Sequence, residues 1–328
     1  MSPLRFCAAV FLLPAVLSTP APAVAATTCE DLSVPVTVAL LPQTMHGRLC
    51  APPGVSKVVV LIPGGTYNAS YWDIGYTPEI HSFRLAMNQA GVATLALDRL
   101  GTGGSSKPLS TLLSASAQAT AAHQVIRSMR SRFAKVVVGG HSIGAAMAMI
   151  EAGRYRDVDG VLVTGMTHRM NLITVLPVMA NMIPAPLDPS LAGRGLDAGY
   201  LTTDPGTRYT AFHTPGPLDE AAIAYDESTK DVFASTEAVD SLTSTTVVTP
   251  ASQRITAPAL LVVGNDPHFC GTLGSDCSSP EALRASEAPF FGGSLRTYIL
   301  DGYGHAINYA PNAPTYFAVV TSWLKTLP

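Results

Sequence analysis

Ser142 is the residue whose neighbours most clearly offer chemistry. It lies in Gly140-His141-Ser142-Ile143-Gly144, between the run Lys135 to Val138, rich in β-branched residues, and the Ala- and Met-rich run Ala145 to Ile150. A strand that passes straight into a helix through G-x-S-x-G makes a sharp, strained turn and lifts the serine hydroxyl above the sheet edge, the nucleophile-elbow pattern. Side chains at Gly140 and Gly144 would hold strand and helix too far apart for such a turn. The bare pattern arises by chance in about one chain of this length in ten, so the other parts of a catalytic set have to be found. A serine is a weak nucleophile at neutral pH unless a base takes its proton and a third group holds that base. Asp266, in Gly264-Asn265-Asp266-Pro267, and His305, in Gly302-Tyr303-Gly304-His305-Ala306, each follow an apolar run. Their order after the serine, acid first and histidine second, is the order this architecture uses.

Other residues could compete for these roles. His141 adjoins the serine, but successive side chains at such a turn diverge, which makes it structural. His268, close to Asp266, competes as the base. An acid after the strand Val158 to Thr164 would be an alternative third member, yet Gly165-Met166-Thr167-His168 has none, and Asp301 is too near His305 in the chain.

Positioning these side chains requires strands that end together. Val58 to Ile62, Val92 to Leu97, Lys135 to Val138, Val158 to Thr164, Ala259 to Gly264 and Leu295 to Leu300 are short apolar runs with the look of strands buried on both faces. Helical patterns intervene at Ile80 to Gln89, Leu112 to Arg132, Ala145 onward, Glu281 to Ala288 and Pro314 to Leu327. Alternating strands and helices imply an α/β fold, a mostly parallel sheet with helices on both faces and its function at the carboxyl ends of the strands. Before them, Val34 to Ala39 and Met45 to Leu49 read as a hairpin joined across Pro42.

From Gly165 to Arg254 this rhythm breaks into a stretch rich in Pro, Met and Thr. An excursion of that length between two core strands is more than a loop, and it reads as a cap over the active face. Flexible Met166 and Met170 suit an adaptable apolar wall. The organisation expected is therefore a signal peptide at 1–26, a core at 27–164 and 255–328, and a cap at 165–254.

Residues 1–26 read as a secretory signal: Arg5, an apolar stretch from Phe6 to Leu17, then small residues at A-x-A spacing before Thr27. Pro14 and the short apolar length argue against a membrane span, and Cys29 lies too far on to be a lipid-attachment site. Removal of Cys7 leaves four cysteines, and an even count in an exported chain suggests disulfides. Three pairings are possible; sequence proximity favours Cys29 with Cys50 and Cys270 with Cys277. A loop of the first pair's size contributes about 3 kcal/mol by chain entropy. In 328 residues only 13% are charged and the net charge is −3, which gives no basic footprint for nucleic acid.

Taken together, Gly140-His141-Ser142-Ile143-Gly144, the turn from Asp98 to Ser105, Asn265-Asp266 and Gly304-His305 make the chain resemble the α/β-hydrolase superfamily over nearly all of its mature length outside the cap. The resemblance implies that Ser142 is nucleophile, His305 general base and then acid, and Asp266 the orienting carboxylate. It also implies an oxyanion hole from the N–H of Ile143 and of Gly65, with Thr66 next. Here Pro63-Gly64 stands where the family often has His-Gly. Tyr67, Tyr71 and Trp72 either wall the acyl site with the two methionines or pack beneath the cap. Gly101-Thr102-Gly103-Gly104-Ser105 lacks the last glycine of a dinucleotide loop and the Gly-Lys of a Walker loop, so it reads as an Asp-capped turn; no nucleotide, other cofactor or metal is expected.

The expected function is a secreted serine hydrolase that cleaves a small apolar ester or lactone. Alternatives are an amidase or peptidase with the same triad, a non-hydrolytic cyclase or rearrangement enzyme on the same fold, and a binding protein without turnover.

Overall fold

The computed structural model describes residues 26–245 and 249–328. The signal peptide expected at the amino terminus lies outside them but for Ala26.

The chain begins with two antiparallel strands, β1 (Thr28–Val38) and β2 (Leu41–Ala51), longer than the hairpin expected from sequence. Their turn is Ala39-Leu40, both at positive φ (50° and 64°), and Pro42 sits within β2 opposite Thr37. A two-residue turn with both φ positive matches the right-handed strand twist. Proline is tolerated there because β2 meets its other neighbour only from Gly47 to Cys50, so Pro42 owes no ladder hydrogen bond on that side. The register sets Cys29 opposite Cys50, and the two are joined as a disulfide; a second joins Cys270 to Cys277.

The core strands follow as β3 (Lys57–Ile62), β4 (Ala93–Leu97), β5 (Lys135–His141) and β6 (Gly160–Thr164). Their apolar runs alternate between two packed layers. Val58, Val60 and Ile62 face one hydrophobic cluster, while Val59 and Leu61 face the other. Helices cover both sides. Between β3 and β4 lie α1 (Pro78–His81) and α2 (Phe83–Gln89), where sequence periodicity suggests a single helix. Ser82 breaks it, because its extended backbone lets its hydroxyl accept the N–H of Leu85 and cap a new helix. α3 (Ala115–Arg130) is capped in the same way by Ser114, and α4 (Ile143–Tyr155) leaves β5 with a single residue between.

The stretch that follows β6 has order of its own. It carries α5 (Leu172–Ala180), β7 (Met182–Pro184), β8 (Tyr200–Thr203), α6 (Glu220–Ser228), β9 (Phe233–Ala234) and α7 (Ser235–Thr245), with β7, β8 and β9 forming a small antiparallel sheet. α5 is unusual. None of its residues is buried, yet all are uncharged, and Leu172, Ile173 and Leu176 are 56%, 70% and 63% exposed.

The core closes with β10 (Ala259–Gly264), α8 (Pro280–Glu287), β11 (Leu295–Leu300) and α9 (Ala313–Lys325). The eight-stranded sheet runs in the order β1-β2-β4-β3-β5-β6-β10-β11, parallel from β4 onward. α3 and α4 share one hydrophobic cluster; α2 and α9, with Trp323 buried, share the other. The carboxyl ends of β3, β5, β10 and β11 therefore open on one edge. No helix among the described residues is long and apolar enough to cross a membrane.

Candidate active site

Ser142 occupies the one-residue turn between β5 and α4 with φ 54° and ψ −126°, a conformation that L side chains rarely adopt. Close packing imposes it. A Cβ on Gly140 would lie 2.1 Å from the carbonyl oxygen of Gly144, and one on Gly144 would lie 2.4 Å from those of Ile62 and Pro63. The Ser142 N–H donates to the Thr164 carbonyl at 2.9 Å, while its own carbonyl accepts from Ala145 and starts α4. Its hydroxyl makes no hydrogen bond among the described residues and faces a cavity of about 330 Å³.

β10 and β11 run parallel with Gly264 level with Leu300, which delivers Asp266 and His305 to the same edge. Nδ1 of His305 is 2.7 Å from Oδ2 of Asp266, and the His305 ring lines the cavity that Ser142 faces. An imidazole held in this way presents its other nitrogen as a proton acceptor. His268 has not moved aside: its Nδ1 lies 2.6 Å from Asp266 Oδ1, its backbone N–H donates to that same oxygen at 3.0 Å, and it too reaches the cavity. Burial works to raise the Asp266 carboxyl, but His305 and then His268 outweigh it and hold the group below the usual carboxylate range. Asp266 thus stays ionised between two imidazoles.

His141 points elsewhere. It stacks on Tyr71 at 4.3 Å, and burial first, then proximity to His305, lowers its pKa well below the ordinary histidine value. This ring stays neutral and packs the underside of the turn.

Gly65, Thr66 and Ile143 all reach the cavity wall, and among the described residues their backbone N–H groups have no hydrogen-bond partner. Thr66 holds φ 63°. Two fully buried arginines brace the loop on either side of Gly65. Arg99 donates from Nη2 to the Gly64 carbonyl at 3.1 Å and pairs with Glu237 of α7 at 2.6 Å. Arg208 donates from Nη1 to the Thr66 hydroxyl at 3.0 Å and grips both oxygens of Asp226 at 2.8 and 2.9 Å. The Thr66 carbonyl also accepts the N–H of Asp231 at 2.8 Å. Burial alone would raise Asp226, yet Arg208 and His213 bring its carboxyl below the usual range.

These four charged residues are absent from the set sequence reasoning proposes. No local spacing marks them: Arg99 directly follows Asp98, and Asp226 is directly followed by Glu227, so in the sequence each reads as an ordinary surface charge.

Met166 and Met170 line the cavity, joined by Met179 and Met182, by Phe212, Phe233 and Phe269, and by Ala238, Val239 and Leu242 of α7. Tyr67, Tyr71 and Trp72 do not, which corrects one of the two placements considered for them. Tyr67 lies under the Arg208 guanidinium, 4.5 Å from its centre, and Trp72 is wholly buried against Phe83. The loop after β3 turns these rings down into the second hydrophobic cluster instead of up toward the cavity. The Asp98 carboxylate accepts the N–H groups of Ala69 and Gly104 at 2.9 and 2.8 Å, and a Cβ on Gly103 would strike it at 2.1 Å, so the Gly101–Ser105 segment is filled by its own aspartate.

No curated protein sequence matches this chain. Among solved structures it resembles DcsB in complex with a substrate analogue (TM-score 0.57, 15% identity, covering 91% of this chain and 99% of that one). It is also similar to a highly thermostable carboxyl esterase from Bacillus coagulans (0.59, 13%, 90% and 98%) and to one of the metagenome-derived lipolytic enzymes LipS and LipT (0.54, 12%, 90% and 97%). At such identities the likeness shows the fold. The model of the Alpha/beta hydrolase family matches residues 59–316, which takes in the loop after β3, the turn at Ser142, Asp266 and His305. With a family match over most of its length, this chain belongs to the alpha/beta hydrolase family.

Proposed function

We propose that the protein is a secreted serine hydrolase that cleaves an ester or lactone through an acyl-enzyme on Ser142. One observation carries the proposal: His305, with Nδ1 2.7 Å from Asp266, faces the same cavity as the strained Ser142. With its Nδ1–H donated to Asp266, His305 takes the Ser142 proton on Nε2 as the oxygen attacks the carbonyl carbon. The N–H groups of Ile143 and Gly65, with Thr66 beside them, receive the developing oxyanion; losing one such donor typically costs about 100- to 1000-fold in kcat. The imidazolium then protonates the departing alkoxide. Water, deprotonated by His305, attacks the acyl carbonyl and returns the serine.

Apart from the two histidines, no ionisable side chain among the described residues lines the cavity, and its methionines and phenylalanines favour an uncharged, apolar substrate. Residues 165–254 serve as the cap that supplies most of this wall. The expected signal at 1–26, together with two disulfides, supports export.

A fluorophosphonate probe tests the reading. Intact-mass analysis should show one adduct per chain, absent in Ser142→Ala, and an ester panel should be turned over faster than matched amides. An unlabelled wild type, or Ser142→Ala with undiminished ester turnover, would refute it.

A further inference from the structure

His123 of α3, Glu151 of α4 and Asp157, just past the end of α4, gather. Glu151 lies about 12 Å along α4 from its start at Ile143. His123 Nδ1 is 3.2 Å from Glu151 Oε1 and 3.2 Å from Asp157 Oδ2. Both separations are longer than those of the four buried imidazole–carboxylate pairs among the described residues, at 2.6 to 2.8 Å, and close to the 3.1 Å of the partly exposed His46–Asp98 pair. One ring nitrogen cannot serve two carboxylates well as a hydrogen-bond donor. The three donor atoms lie within 4.8 Å of one another, and the two 3.2 Å separations suit donors around a common centre, since bonds of about 2.0 Å meeting at a tetrahedral angle set donor atoms about 3.3 Å apart.

The leftover oxygens agree. Glu151 is wholly buried, and neither its Oε2 nor the buried Oδ1 of Asp157 meets a donor among the described residues; the two carboxyls can hydrogen-bond each other only when one of them carries a proton. A buried carboxylate needs a counter-charge or a proton.

We propose that His123, Glu151 and Asp157 form a site for a divalent transition-metal cation, of which Zn²⁺ is the preferred probe, independent of the reaction at Ser142. One nitrogen and two carboxylates match the ligand preference of zinc better than that of calcium or magnesium. Stacking on Tyr155 at 3.6 Å and 7° fixes the plane of the His123 ring. His123 and Asp157 are 16% and 29% exposed, which leaves a way in from solvent and room for a water as fourth ligand. Two cations oppose the bound charge: Arg127 acts on His123, and Arg130, although engaged with the Asp157 carbonyl and with Asp159, still acts on Glu151.

Asp266, His268 and His305 also lie within 4.8 Å of one another, so the test has to separate the two clusters. Tag-free protein stripped with chelator is titrated with Zn²⁺ by calorimetry and with Co²⁺ by visible absorption. The site predicts one equivalent with the intense bands of tetrahedral cobalt, lost in His123→Ala and at least tenfold weaker in Glu151→Gln, whether or not Asp266→Asn binds. Glu151→Gln mimics the protonated side chain, and an unchanged Tm without metal shows that it has folded. Absence of binding, or binding that survives His123→Ala and disappears in Asp266→Asn, overturns the assignment.

Discussion

Arg208 donates from its guanidinium to the hydroxyl of Thr66 at 3.0 Å, tying the segment between β6 and β10 to the loop after β3. Thr66 needs the support because it holds a positive φ next to an unpartnered N–H. Arg208→Lys keeps the charge but loses the planar fork that grips both oxygens of Asp226. We expect it to fold and to lose about tenfold in kcat through a loosened loop. Arg208→Met strands Asp226 as a buried, partly uncompensated charge and should cost about 3–5 kcal/mol. Steady-state kinetics and urea unfolding check the pair; a full-rate Arg208→Lys enzyme would detach the loop from the arginine.

Gly144→Ala inserts a Cβ 2.4 Å from two backbone oxygens, Ile62 and Pro63, neither of which can swing away as a side chain would. The expected outcome is a loss of about 3 kcal/mol or more in stability, with ester turnover falling further than stability alone explains. Urea midpoints and probe labelling at a temperature where the variant is still folded would reveal this.

The two imidazoles on Asp266 have unequal parts in the proposed reaction, and substitution separates them. His305→Ala should lower kcat by about 10³-fold or more, while His268→Ala, which removes a second donor to Asp266, should lower it by about tenfold. Reversed magnitudes would make His268 the base. Because the folded Asp266 carboxyl is depressed, the stability it contributes is present above the ordinary carboxylate range and is lost as pH falls through and below that range.

Glu151 behaves in the opposite sense. Its folded pKa is raised from 4.5 to about 9, so the stability it contributes is full below about 4.5 and is lost as pH rises toward 9. In metal-free protein, Glu151→Gln should flatten this fall by a few kcal/mol, since each tenfold difference in proton affinity between folded and unfolded chain is worth about 1.4 kcal/mol. Urea unfolding of wild type and variant at several pH values would show it; parallel curves would exclude Glu151 as the source.

The parallel sheet and the positions of Ser142, Asp266 and His305 at one edge were legible because each depends on a local signal: an apolar run followed by a turn with small residues. The helix split at Ser82 was not, since a capping serine within a continuous apolar period looks like any polar helical residue. Tyr71 and Trp72 were ambiguous because aromatic residues suit a cavity wall and a core equally until the direction of the loop is known. The arginine braces were hidden for a different reason. Arg99 meets Glu237, and Arg208 meets Thr66, only after distant segments fold together, and no spacing in the chain records such a meeting.

Helix α5 leaves Leu172, Ile173 and Leu176 turned toward water. Its flank, through Val175, Val178 and Met179, belongs to the wall around Ser142. This greasy ridge governs how the protein handles on the bench. It should salt out early and cling to phenyl resin, and Leu176→Glu should elute sooner from such a column with its retention on an anion exchanger raised by one charge.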